Sequence, residues 1–423
     1  MMDAAASSID PARDRAAGVL RLPNPMRAMV WLTIFVPGHL FGWWVERGYA
    51  GAVLFVAVMV LMTKGSAWES RKPSRQASVI LFLVQFLYVT SYIYSVAFNG
   101  IQTGSRDLFE VLRYLIVWGF VVYVIRHFDA KVRSSLEAAM TASLYYSLFV
   151  LATFKYRIPF LTSFFRGWLY AETKTTAGDF GGQMRLAAPF ENPNYLGFAS
   201  VMTMCYLLFF SKARLRTFHI AAALLVVFFC GSRTAWAGTG LLVAAALATY
   251  CYQSLVKLNI KYAVQLSLVF LVLMISGPWM LQRVMASNRV IRVVKAMEKG
   301  GIQEEANAAH RLTRARDALV YIRQSPVLGW GPSKYVTMTY TDNQYLLWLL
   351  RNGALGAGLI MLGFAVAGVR LVLAARGNLM HAVGAASFVC TLAVMLLAGQ
   401  FLDNFRLLFL AVFFAAAIRE TSR

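Results

Sequence analysis

DNQYLLWLLRNGALGAGLIMLGFAVAGVRLVLA, residues 342–374, decides the fold of this chain. After Asp342 and Asn343 its only charged side chains are Arg351 and Arg370. As one helix these 33 residues would extend about 50 Å, at about 1.5 Å per residue. A bilayer core is about 30 Å thick, so the segment must tilt, project or break. Asn352-Gly353 is the place for a break. Asp342 then stands at a membrane rim, with Arg351 about two and a half turns deeper.

Similar runs recur throughout. The chain is 59% hydrophobic and 14% charged, with a mean hydropathy of +0.58, values that belong to membrane proteins. Twelve spans are expected, at roughly 28–45, 48–63, 77–98, 108–125, 134–154, 194–210, 217–231, 235–256, 263–281, 343–373, 382–399 and 405–418. The expected fold is an all-α polytopic bundle over 28–418, with tails at 1–27 and 419–423. Its connections are short apart from two long ones, 155–193 and 282–341, the second partly helical and preceding the tenth span.

Charge orients the bundle. With the N-terminus inside, the short cytoplasmic segments carry 20 Lys and Arg, while the short outer ones carry four: Arg47, Arg106, Arg233 and Arg406. That asymmetry predicts cytoplasmic termini and places both long loops outside. The net charge of +22 is therefore half explained by cytoplasmic retention and anionic lipid, and no nucleic-acid partner is expected. Residues 1–27 are polar and the first apolar run is a full span, so no cleavable leader is read. The four cysteines fall inside spans, far apart, and read as free buried thiols.

The long loop from Gln282 to Asp342 is basic. Residues 289–299 read as an amphipathic helix lying on headgroups. A second helix near 304–324 has Leu312, Ala315, Leu319 and Ile322 as its expected buried stripe, and Pro326 with its neighbouring glycines ends it. Thr217–Gly231 is only 15 residues, about 22 Å of helix, and Ser232-Arg233-Thr234 leads straight into the next span. Arg233 is therefore expected below the outer surface, in a recess, where an unsolvated charge costs about 2.5–3.5 kcal/mol.

Candidate chemistry concentrates on this outer side. Five scattered histidines and the absence of a Cys/His spacing argue against a metal site, and no phosphate-cradling glycine loop is present. A membrane enzyme without metal, nucleotide or other cofactor needs an already activated substrate. Arg185, Arg233, Arg311, Arg314 and Arg316 supply guanidinium groups, which grip phosphate oxygens in a fork and stabilise charge that builds on a leaving phosphate. Each has the alternative of a solvated surface charge. Asp342 is a candidate base, with a helix N-cap as the alternative, and both roles can coexist. His310 and Glu191 are secondary candidates. Glu110 and Arg113, one turn apart, read as an internal ion pair, and Asp403-Asn404 as a polar cap. Trp168, Tyr170, Trp330, Tyr335 and Tyr340 suit either sugar stacking or an interfacial belt.

Four segments together resemble the Wzy-type polysaccharide polymerase and O-antigen ligase superfamily. They are Arg185…Asn192-Pro193-Asn194, Ser232-Arg233-Thr234, Arg311 followed by Pro326-x-x-Gly329-x-Gly331, and Asp342-Asn343-x-Tyr345…Gly353-x-x-Gly356. The resemblance covers about 185–356; the first five spans match in hydropathy alone. It implies inverting, metal-independent transfer from an undecaprenyl-pyrophosphate-linked glycan donor on the periplasmic side of a bacterial inner membrane. Arg185, Arg233 and Arg311 would bind the donor pyrophosphate, with Asn194, Arg314, Tyr345, Glu191 and His310 as further substrate contacts. Asp342 stands where the ligases often have histidine, which favours a polymerase acting on a lipid-linked glycan acceptor over a ligase acting on lipid A-core. A chain-length regulator is left open as a partner. Two other readings remain: a cell-wall glycosyltransferase of the RodA type, whose motifs are not seen, and a lipid-linked oligosaccharide flippase or transporter, whose charges would be expected at the membrane midplane.

Overall fold

The structure is a computed structural model that describes residues 25–35, 75–98, 110–165, 179–180, 183–190, 192–255, 306–332 and 343–422. The expected spans at 48–63 and 263–281 and the basic helix at 289–299 lie outside the described residues. The helices in chain order are α1 (Pro25–Phe35), α2 (Arg75–Phe98), α3 (Arg113–His127), α4 (Ala130–Lys155), the short α5 (Pro159–Phe164), α6 (Pro193–Phe209), α7 (Arg216–Cys230), α8 (Arg233–Leu255), α9 (Ala306–Gln324), α10 (Gln344–Ala374), α11 (Leu379–Leu397) and α12 (Phe405–Thr421). A two-residue antiparallel ladder, β1 (Asp179–Phe180) with β2 (Gln183–Met184), is the only strand pairing among the described residues.

Among the described residues, five helices are long and apolar enough to cross a bilayer: α2 from Val79, α4, α8 to Ser254, α10 and α11. Their outward faces are apolar too. Phe86 and Phe98 of α2 are 67% and 76% exposed, and Phe149, Leu362, Val369 and Leu373 are also exposed. Scattered exposed apolar residues are ordinary in soluble proteins, but contiguous belts on long apolar helices are covered by lipid. The chain is a multi-pass membrane protein.

The bundle is organised around α6. Asn192 caps it, its Oδ1 accepting from Asn194 N at 2.9 Å, and Pro193 occupies the first turn, where a missing N–H costs nothing. Beyond the cap α6 has no charged residue and is buried almost throughout. It packs on α7, α8 and α11, and more lightly on α12 and α4. Phe198 is fully buried and stacks on Phe401, ring centroids 4.9 Å apart; truncating such a side chain to Ala costs about 3–5 kcal/mol. A second group forms where α10 meets α2 and α9.

The break expected in α10 is present. Gly353 has φ 60° and ψ −173°, dividing one apolar run into two helical segments. The stripe expected on α9 is shifted. Leu312 and Leu319 are 41% and 43% exposed, whereas Ala318 is fully buried and Tyr321 and Ile322 pack against Trp330 and Leu350. Periodicity assumed a helix buried along its length, but α9 docks by its C-terminal end. The cysteines are free, as expected; Cys205 and Cys230 are buried, but Cys251 is half-buried and Cys390 exposed, because a span's outward face meets lipid.

Candidate active site

Arg185 and Arg233 meet at the turn between α7 and α8. Gly231 ends α7 in the left-handed region, φ 59°, and α8 begins at Arg233 with no loop between. Ser232 is buried beneath the turn, its Oγ accepting from Ala235 N at 3.4 Å. The last carbonyls of a helix lack partners within it and carry its negative pole. Arg185 answers both needs: its Nε donates to Cys230 O at 2.9 Å and its Nη2 to Gly231 O at 3.3 Å. The same Nη2 reaches Asn194 Oδ1 at 3.2 Å, and Leu186 N donates to Phe229 O at 3.0 Å. Arg185 is thus the arginine the bundle encloses, while Arg233 stands exposed on the first turn of α8. There its cation adds to the positive end of the helix, an arrangement that favours an anion.

The second group stands on α9. His310 and Arg311 are exposed and Arg314 half-buried on its N-terminal half. Its C-terminal end is fastened to the break in α10 by main-chain bonds. Trp330 N donates to Leu350 O at 2.8 Å, Gly331 N to Arg351 O at 2.9 Å and Ala354 N to Pro326 O at 2.8 Å. Neither chain leaves room for side chains at this crossing. A Cβ on Gly353 would lie 2.1 Å from Val327 O, and one on Gly329, φ 74°, would lie 2.4 Å from Gly353 N. Trp330, one of the aromatics considered for sugar stacking, is buried, and its indole N–H donates to Tyr321 O at 2.8 Å.

Below the break lies a buried ionic network. Arg351 Nη1 donates to Asp403 Oδ1 at 2.7 Å, and Arg113 Nη2 lies 3.3 Å from the same oxygen. Arg113 also forks onto Glu110, at 2.6 and 2.9 Å, confirming the expected pair. Tyr114 donates its hydroxyl to Asn352 Oδ1 at 3.1 Å. Two cations and two carboxylates balance, which is how the bundle holds charge at this depth. Asp403 was read as part of a cap; the cap is Asn404 alone, accepting from Arg406 N at 2.9 Å. No spacing signal could have revealed Asp403, whose partner Arg351 is 52 residues away.

Glu191 and Asp342 lie outside the described residues, as do Trp168, Tyr170, Tyr335 and Tyr340. The cap of α10 is Asn343, whose Oδ1 accepts from Tyr345 N at 2.9 Å and Leu346 N at 3.1 Å, so the helix does not depend on Asp342 for that role. Tyr345 donates its hydroxyl to Ala393 O at 3.0 Å, tying α10 to α11. Arg185, Asn194 and Arg233 are therefore brought together, whereas His310, Arg311 and Arg314 come from a separate element.

These features define a multi-pass membrane protein with two arginine-bearing elements, one at the α7–α8 turn and one anchored at a broken span. Residues 218–361 match the family model described as O-antigen ligase, so this stretch is a domain of the Wzy and O-antigen ligase superfamily. At the level of class, the matched stretch implies glycosyl transfer at a membrane. The match takes in Arg233, Arg311, the glycine crossing and the broken span, and leaves Arg185 and Asp403 outside it. No curated protein matches the chain.

Proposed function

We propose that the protein polymerises undecaprenyl-pyrophosphate-linked oligosaccharide units on the periplasmic face of the bacterial inner membrane. The acceptor is a sugar hydroxyl on a second lipid-linked unit. Asp342 takes the hydroxyl proton as the oxygen attacks the anomeric carbon. The bond from that carbon to the pyrophosphate oxygen breaks, the configuration inverts, and undecaprenyl pyrophosphate leaves with the electron pair. Arg233 and Arg311 neutralise the departing charge, Arg314 assists them, and Arg185 holds the turn that presents Arg233. No metal takes part in this reading.

The observation that supports it is the exposed Arg233 on the first turn of α8, braced from below by Arg185. Arg233→Ala should lower transfer by about 10²-fold or more, as loss of one preorganised charge-stabilising donor does. Purified protein given the lipid-linked unit should make a glycan ladder, absent with Arg233→Ala or Arg233→Lys at equal protein level. A normal ladder in Arg233→Ala would sink the pyrophosphate role. The family description favours a second reading, transfer to lipid A-core; product formed only when that acceptor is added would select it. An intact donor under both conditions would move transport to the front.

A further inference from the structure

A cavity of about 580 Å³ opens at the end of the bundle opposite the α7–α8 turn. It lies between the first turns of α4, the C-terminal end of α6, the start of α7 and the last turn of α12, and has Arg133, Glu137, Tyr206, Lys212 and His219 in its wall. Its polarity is one-sided. Among the described residues Glu137 is its only carboxylate and is engaged, accepting from Ser211 Oγ. Arg133 donates to Thr421 Oγ1 at 3.3 Å, a neutral partner, and neither Arg133 nor Lys212 forms an ion pair with another described residue.

Two helices begin at this cavity. Arg133 lies in the opening of α4, whose cap Asp129 accepts from Val132 N at 2.7 Å, and Arg214 and Arg216 flank the start of α7, where Leu215 supplies no side-chain cap. Cations at the start of α7 oppose the positive end of that helix, and an anion nearby relieves that repulsion. The mouth is apolar. Tyr145, hydrogen-bonded to His219 at 2.9 Å, lines it. One turn from Tyr145 is exposed Phe149, and beside His219 are Leu215 and Phe218, 53% and 69% exposed. A polar, cationic interior with an apolar lip at the end of membrane helices has the chemistry of a phosphate ester carrying hydrocarbon tails. Basic pockets between spans recognise such headgroups, and the volume falls in the range of small-molecule sites.

We propose that this cavity binds the phosphate headgroup of one anionic phospholipid, its acyl chains leaving past Phe149 and Phe218. The site is separate from the arginines assigned to transfer. The test uses delipidated full-length protein in detergent and native mass spectrometry with palmitoyl-oleoyl phosphatidylglycerol, the matching phosphatidylcholine, or inorganic phosphate as probes. One phosphatidylglycerol should be retained per chain, with at least about tenfold lower occupancy by phosphatidylcholine. Arg133→Gln with Lys212→Gln should cut phosphatidylglycerol occupancy by about tenfold or more, and Thr141→Trp, which fills the cavity, should abolish it. Lys212→Gln alone and Thr141→Trp keep the test decisive if the double variant fails to fold. Equal occupancy by the two lipids, or unchanged occupancy in the variants, overturns the proposal. Full displacement by inorganic phosphate at equal concentration would overturn the lipid assignment in favour of a free-phosphate site.

Discussion

Asp403 shows what a single carboxylate does in this bundle. Its side chain is 26% exposed, yet Arg351, its principal partner, is only 9% exposed. Asp403→Ala leaves Arg351 without its carboxylate, and breaking such a pair costs about 3–5 kcal/mol. The variant should unfold at lower temperature in detergent, while Arg351→Met with Asp403→Leu should recover most of the loss. No change in Asp403→Ala would mean the pair is solvated and contributes little. Arg185 is tested by contrast with Arg233. Arg185→Lys keeps the charge but loses the fork onto Cys230 O, Gly231 O and Asn194, so its level in membranes should fall. Arg233→Ala should leave that level unchanged. The Glu110–Arg113 pair was legible because helical spacing brings residues three apart together. The partners of Arg185 were not legible, since two of them are main-chain carbonyls, which carry no residue-type signal.

At the scale of elements, the crossing of the Ser325–Pro332 loop over the α10 break governs where α9 sits. Gly353→Ala forces a Cβ into Val327 O and requires a side chain at φ 60°. Limited proteolysis within 306–332 should then accelerate about tenfold or more, and transfer should fall with it. Unchanged cleavage would show that α9 is held by something other than this crossing. The break itself was readable, because a run too long for a bilayer contained Asn-Gly. The face of α9 was not. Leu312 and Leu319 share a helical stripe with Ile322, but only the end near Ala318 and Ile322 meets α10, and where a helix stops being covered is a property of its neighbour.

The whole molecule follows from hydropathy, since a long apolar helix can span lipid with every backbone group paired within itself. Sidedness rests on loop charge and is tested directly. In a background with Cys205, Cys230, Cys251 and Cys390 replaced by Ser, Arg311→Cys should react with a membrane-impermeant maleimide in intact spheroplasts. Lys212→Cys should react only after lysis. Labelling of both from one side would refute the alternating arrangement. The mount of α9 has a consequence for how such proteins diversify. The hydrogen bonds that join its end to α10 run between main-chain atoms, at Leu350, Arg351, Pro326 and Ala354, and its side-chain contacts there come from Tyr321 and Ile322. Exposed side chains along residues 310–317 can therefore be exchanged as a cassette while the bracket beneath them keeps its shape. On the proposed function, a designer seeking a new glycan preference has in α9 an interchangeable tool head on a fixed chassis.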